Sequence, residues 1–228
     1  MIALAQSGAE DGLWLRAERQ TAGRGRMGRS WDSPSGNLYV SHLVRLRATD
    51  PAAPSLAFVA AVAVEETLRH FAPDTSFQIK WPNDVMALIS PSPAKLSGLL
   101  LERAGDAVVI GMGVNLANHP LGLDRPVTSL AALGVAVPDA AAFLDELAAR
   151  FAHWLGQWRG AGLPAIREAW FARAHPEATP LSVTEPGGSR TDGVFAGLDP
   201  DCALRLRLAD GSVRVIHAGD VFFTDRME

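Results

Sequence analysis

The segment QTAGRGRMGRSW, residues 20–31, places Arg24, Arg26 and Arg29 among Gly23, Gly25 and Gly28, with no acid before Asp32. Glycines let backbone N–H groups come close to a ligand, and arginines offer forked donors that match carboxylate and phosphate. The segment therefore suits an anion. Without one, charge repulsion and glycine entropy predict a disordered loop that folds over its ligand as a lid. The glycines also satisfy G-x-G-x-x-G. A dinucleotide fold needs a helix to open there, however, and Ser33-Pro34-Ser35-Gly36 follows instead. The phosphate loop G-x-x-x-x-G-K-[ST] is absent from the sequence. Taken alone, the segment is equally a solvated basic turn or a nucleic-acid patch.

Of the 21 basic residues only Lys80 and Lys95 are lysines. A lysine is a compact point charge on a flexible stem, able to touch one oxygen where a planar guanidinium does not fit. Both lie in informative stretches. Lys80-Trp81-Pro82-Asn83-Asp84 sets charged and amide groups where a strand gives way to a turn, and sites in α/β proteins often occupy strand ends. Lys95-Leu96-Ser97-Gly98 opens an apolar strand with a lysine and then a glycine, where a flat ligand can approach the backbone. Ile110-Gly111-Met112-Gly113-Val114-Asn115 is a strand thinned by two glycines in the same way. Each stretch also has a plain structural reading: a turn with a packed tryptophan, an edge-strand lysine, or close packing of another element. The six histidines show no metal-ligand spacing with each other or with Cys202, and no metal-binding residues are assigned. A G-x-S-x-G elbow with a matching histidine and acid is absent.

Chemistry on these segments needs a scaffold, and 228 residues at 48% hydrophobic content supply an ordinary globular core. A net charge of −4 confines any anion site to a local concentration of charge. No apolar run approaches the length of a membrane helix, so no membrane association is expected. The opening MIALAQSGAEDGLW lacks the basic and apolar regions of a signal peptide, and a single cysteine forms no internal disulfide, which together suit the cytoplasm.

Alternation predicts strands over 13–18 and 38–45, the latter with Leu38, Val40, His42 and Val44 on one face. A helix over 55–71, capped by Ser55, follows. Strands at 77–81, 85–89 and 96–102 come next, the last two forming a hairpin around Ser90-Pro91-Ser92-Pro93, and then a strand at 107–116. Helical spacing marks 139–158 and 163–174. From about Pro180 the pattern changes to short strands at 181–184, 193–198, 203–208 and 213–217, separated by tight turns. The expectation is α+β: residues 1–177 forming a sheet covered by helices, and residues 178–228 a small β-barrel packed against it.

Taken in order, the glutamine and arginine loop, KWPND, KLSGLLLE, IGMGVN and a C-terminal stretch with Gly197-Leu198-Asp199 and Ala218-Gly219-Asp220-Val221 resemble the biotin protein ligase family across nearly the whole chain. The resemblance implies a class II synthetase-like catalytic fold, a mixed sheet with helices packed on one side, followed by an SH3-like barrel. It implies two steps: biotin's carboxylate attacks the α-phosphate of ATP to give biotinyl-5′-AMP and pyrophosphate, and a lysine of a biotin carboxyl carrier protein then attacks the mixed anhydride. Magnesium would accompany ATP. Gln20, Gly23, Arg24, Gly25, Arg26 and Arg29 would bind biotin and the adenylate, with Arg26 retaining the intermediate and Trp31 stacking near adenine. Lys80 and Asn83 match the second motif, Asp84 would orient the incoming lysine, and Lys95 would reach the biotin carboxyl. Gly98, Gly113 and Asn115 would line the pocket. The family's Ser/Thr-Asn motif upstream of the glutamine has no counterpart here. Neither does the winged helix that lets some members bind DNA, so no DNA partner is expected, while a homodimer is left open. The alternatives are a lipoate-type ligase on the related fold and a non-catalytic biotin- or adenylate-binding protein.

Overall fold

The computed structural model describes residues 1–224. Its larger sheet is built from β1 (Trp14–Ala17), β2 (Leu38–Arg45), β3 (Phe77–Lys80), β4 (Asp84–Ala87), β5 (Ala94–Ala104) and β6 (Ala107–Val114), in the spatial order β1-β2-β6-β5-β4-β3. Every strand pair in it is antiparallel, which corrects the expected mixed sheet. Among the described residues, parallel pairing survives only as two isolated bridges, Ile79 with Ala174 and Lys95 with Val127. Short connections join β3 to β4, β4 to β5 and β5 to β6, α2 lies between β2 and β3, and the long segment 18–37 with the arginine loop returns the chain from β1 to β2.

Alternation decides the two faces. Leu38, Val40, Val44, Ile110, Met112 and Val114 point into the main core against α2 (Leu56–Phe71), α3 (Ala140–Ala161) and α4 (Leu163–Phe171). The α2 helix is apolar nearly all round, as a helix must be when it is wedged between sheet and helices. On the opposite face Leu43, Ala104, Ala107 and Val109 meet the short α1 (Ile2–Gln6), which the sequence pattern did not announce. Helices therefore occupy both faces, although only one short turn lies on the second. The Asp139 carboxylate caps α3 by accepting from Ala141 and Ala142 N–H groups. Ser55 does not cap α2: its hydroxyl donates to the Ala52 carbonyl at 2.6 Å and accepts from the Trp158 indole at 2.7 Å, pinning α3 to the entry of α2.

The smaller sheet contains β7 (Pro180–Thr184), β8 (Arg190–Leu198), β9 (Leu204–Arg207), β10 (Val213–Ile216) and β11 (Asp220–Phe223), in the order β10-β9-β8-β7-β11, all antiparallel. Its two edges, β10 and β11, do not pair, so the expected barrel is an open five-stranded sheet. The space that a second wall would fill is taken by aromatic rings from the larger unit. Trp170 and Phe171 of α4 pack on Phe195, and His175 lies between Phe195 and Phe223. Side chains of both sheets join in one hydrophobic cluster. No helix among the described residues is long and apolar enough to cross a membrane.

Candidate active site

A cavity of about 400 Å³ opens on the second face of the larger sheet, where β5 and β6 lie side by side. Gly98 and Gly113 sit opposite each other in the register, as do Leu100 and Gly111. The glycines remove side chains from the floor, and the Trp31 indole fills the space they leave. A Cβ at Gly113 would lie 2.8 Å from that ring, and one at Gly98 2.9 Å from both the ring and the Lys95 Nζ. Lys95 Nζ stands 5.4 Å from the indole centroid. The indole N–H is buried without a partner among the described residues. Trp31 is thus packed on the glycine floor beside Lys95.

The two lysines meet on one carboxylate. Asp84 opens β4 opposite Gly98, and a register shift between Val85 and Met86 brings Lys95 back toward it. Lys95 Nζ lies 2.5 Å from Asp84 Oδ1 and Lys80 Nζ 3.3 Å from Oδ2. Burial alone would push the Asp84 carboxyl up, but Lys95 and then Lys80 outweigh it and hold the carboxyl down at about 2. Burial lowers the Lys95 ammonium against the pull of Asp84. Asp84 stays ionised, with both of its oxygens engaged by resident ammonium groups.

The arginine loop is docked rather than disordered. Gly25 N–H donates to the Arg29 carbonyl at 2.7 Å and Trp31 N–H to the Gly23 carbonyl at 2.9 Å, closing the loop on itself. Its tip turns through Met27 at φ 55° and Gly28 at φ 72°. Arg29 reaches Asp220 of β11 at 2.7 Å. Arg26 donates to the Asn83 side-chain oxygen and to the Gly219 carbonyl, each at 3.2 Å, and lies 4.0 Å from Asp220. Burial lowers the Arg26 pKa, with Asp220 opposing. Arg24, at the rim, pairs with Glu102 of β5 at 3.1 Å. The loop spends its charge on carboxylates of the protein itself.

The second motif is fixed by the same sheet. Lys80 donates to the Val221 carbonyl at 3.0 Å, and the Trp81 indole N–H to the Cys202 carbonyl at 3.1 Å. Asn83 joins Arg26 to the Leu99 carbonyl.

The sequence-selected residues Gln20, Arg24, Gly25, Arg26, Arg29, Trp31, Lys80, Asn83, Asp84, Lys95, Gly98 and Gly113 all border this cavity. Gly23 and Asn115 do not. A Cβ at Gly23 would fall 2.4 Å from the Trp31 carbonyl, so it closes the loop upon itself. Asn115 is buried and donates to the Thr128 carbonyl at 3.0 Å, holding the following segment against β5. Sequence reasoning gave no role to Glu102, Arg125 or Asp220, all of which border the cavity. Asp220 lay inside a quoted stretch, but no spacing ties it to arginines almost two hundred positions away.

The Biotin/lipoate A/B protein ligase family model matches residues 3–115, and the Biotin protein ligase C terminal domain model residues 182–224. A biotin--[acetyl-CoA-carboxylase] ligase of Paracoccus denitrificans is 39% identical over 95% of this chain and 92% of its own length. One from Mycobacterium tuberculosis is 36% identical over 97% of this chain and 83% of its own length. A solved biotin protein ligase from Aquifex aeolicus, in complex with biotin and ATP, shares the fold with a TM-score of 0.84 at 23% identity, covering 97% of this chain and 94% of that one. Motifs, fold and relatives agree: the chain belongs to the biotin/lipoate A/B protein ligase family and, within it, to the biotin protein ligases.

Proposed function

We propose that this protein activates biotin with ATP to biotinyl-5′-AMP and transfers the biotinyl group to a lysine of a carboxylase's biotin carrier domain. The observation that carries the reading is the convergence of the arginine loop, the Lys80–Asp84 segment and Lys95 on one glycine-floored cavity. In the first step a biotin carboxylate oxygen attacks the α-phosphorus, and the bond to pyrophosphate breaks. This chemistry needs position and positive charge rather than a protein nucleophile. Lys95 is the group for the biotin carboxylate, because its Nζ stands at the floor of the cavity with the Asp84 charge behind it. Arg24, Arg26 and Arg29 close over the phosphates, exchanging Glu102 and Asp220 for substrate oxygens, and Gln20 and Gly25 border the same space.

Trp31 is the flat wall for adenine or the biotin chain above Gly98 and Gly113. Lys80 and Asn83 fix the Asp84 segment. Asp84 then receives the carrier's lysine once Lys95 turns to the substrate, its second oxygen still held by Lys80. Gly23 and Asn115 act by shaping the loop and the 126–130 segment. Magnesium would accompany ATP, bound to its phosphate oxygens and neutralising part of their charge. Residues 1–177 carry most of this site, and residues 178–224 brace it and set Asp220 at its border, in a cytoplasmic protein.

The test is ATP- and biotin-dependent labelling of an isolated carrier domain, with lipoate as competitor. Labelling that lipoate does not suppress supports the reading. Preferential lipoate transfer, or tight biotin binding with no pyrophosphate release, overturns it.

A further inference from the structure

The cavity is bordered by six cations, Lys80, Lys95, Arg24, Arg26, Arg29 and Arg125, but by only three carboxylates, Asp84, Glu102 and Asp220. The pairing is uneven. Asp84 serves both lysines, Glu102 serves Arg24, and Asp220 serves Arg26 and Arg29. Arg125 has no ion pair or side-chain hydrogen bond among the described residues, and it is half-buried at the cavity rim. Its charge is near enough to Lys95 to disfavour the ammonium.

The backbone around it is not free to drift. Lys95 N–H donates to the Pro126 carbonyl and Thr128 N–H to the Lys95 carbonyl, both at 2.9 Å, and Val127 bridges Lys95 in parallel. The residue that follows Arg125 is therefore tied directly to the lysine at the cavity floor. Holding a lone guanidinium toward another cation is unfavourable unless an anion joins them.

We propose that Arg125 is a further substrate-binding residue of the activation step, donating to an oxygen of the nucleotide's triphosphate on the side of the departing pyrophosphate. This rests on the biotin-activating reading above. The count of charges selects the ligand. A surplus of three positive charges exceeds what one biotin carboxylate can balance and suits a polyanion, and the guanidinium fork matches phosphate geometry. As the α-phosphorus to oxygen bond breaks, its electron pair leaves with pyrophosphate, and a cation already in place stabilises that growing charge without reorganisation.

The experiment compares wild type, Arg125→Met and Arg125→Lys by biotin-dependent pyrophosphate release, inhibition by inorganic pyrophosphate, and calorimetric titration with biotin alone. Loss of one charge-assisted hydrogen bond predicts that Arg125→Met raises the KM for ATP about tenfold or more and weakens pyrophosphate inhibition in parallel, while biotin affinity is unchanged. Arg125→Lys should recover part of both. An unchanged KM for ATP, or a fall in affinity for biotin alone, would overturn the assignment. Should wild type itself release no pyrophosphate, the activation reading fails and not merely the role of Arg125.

Discussion

On the helix-covered face of the larger sheet, Leu38, Val44, Ile110 and Val114 are fully buried against α2 and its neighbours. One residue along, the same strands turn Ser41, Gly111 and Gly113 to the other side, with Gly98 beside them on β5. The strands thus alternate between bulk and emptiness. Two ionisable groups of these strands show the same division. His42, on the covered face, stacks on Trp14 and meets the edge of Phe151, and burial drives its pKa down to about 4. Asp84, on the open face, is just as buried but remains charged between two lysines. A dry face neutralises an ionisable group that has no partner, whereas the site face keeps its charges by pairing them before any ligand arrives.

The strongest way to break this contrast is Asp84→Ala, which strands two ammonium groups. We expect a loss of about 4 kcal/mol of stability, measured by urea unfolding, with biotin activation abolished in whatever folds. Next, Ile110→Ala and Gly113→Val change positions three residues apart on β6 that face opposite sides of the sheet. The first should cost about 3 kcal/mol and leave the folded protein's KM for biotin unaltered. The second should cost about 1 kcal/mol but displace Trp31 and remove adenylation. Equal effects on stability would erase the distinction between the faces.

The pH dependence sharpens the contrast further. An unfolded His42 takes up its proton near 6.5 and the folded one near 4, so stability is whole above 6.5 and declines by about 3 kcal/mol as pH falls to 4. Asp84 acts in a lower window. Its folded pKa of about 2 lies below the ordinary 3.8, so its contribution is complete above 3.8 and disappears as pH falls through 2. His42→Phe should remove about half of the slope in the upper window in denaturant titrations, the other half belonging to His175, whose pKa burial also lowers to about 4, and leave the lower window intact. Smallest is Asp220→Ala: its ion pair with Arg29 is partly exposed, so about 0.5 kcal/mol is expected. Amide exchange over residues 24–30 should nevertheless rise, because the loop loses the carboxylate on which Arg26 and Arg29 converge.

How much of this was readable depends on range. The bounds of β2 follow from alternation within eight residues, and α3 begins one residue after a capping aspartate. The five-residue α1 and the four-residue β11 carry too little pattern to stand out. The site was legible where chemistry is local, as in Lys80 and Asp84 four residues apart. It was illegible where the chain folds back: Asp220 under Arg29, Arg125 beside Lys95, and Trp31 over two glycines from different strands. The barrel misled for the same reason. Short strands between turns specify a sheet, but closure depends on what else can cover its inner face, and here α4 does so.

The aromatic packing of Trp170, Phe171 and His175 on Phe195 means that residues 178–224 are not a detachable cassette. Cutting the chain ahead of them would expose indole and phenyl rings to water and deprive Trp81 of the acceptor for its N–H. Grafting this tail onto a relative would therefore require transplanting α4 with it, so the unit of exchange between such enzymes is set by a shared seam of rings rather than by the place where the strand pattern starts.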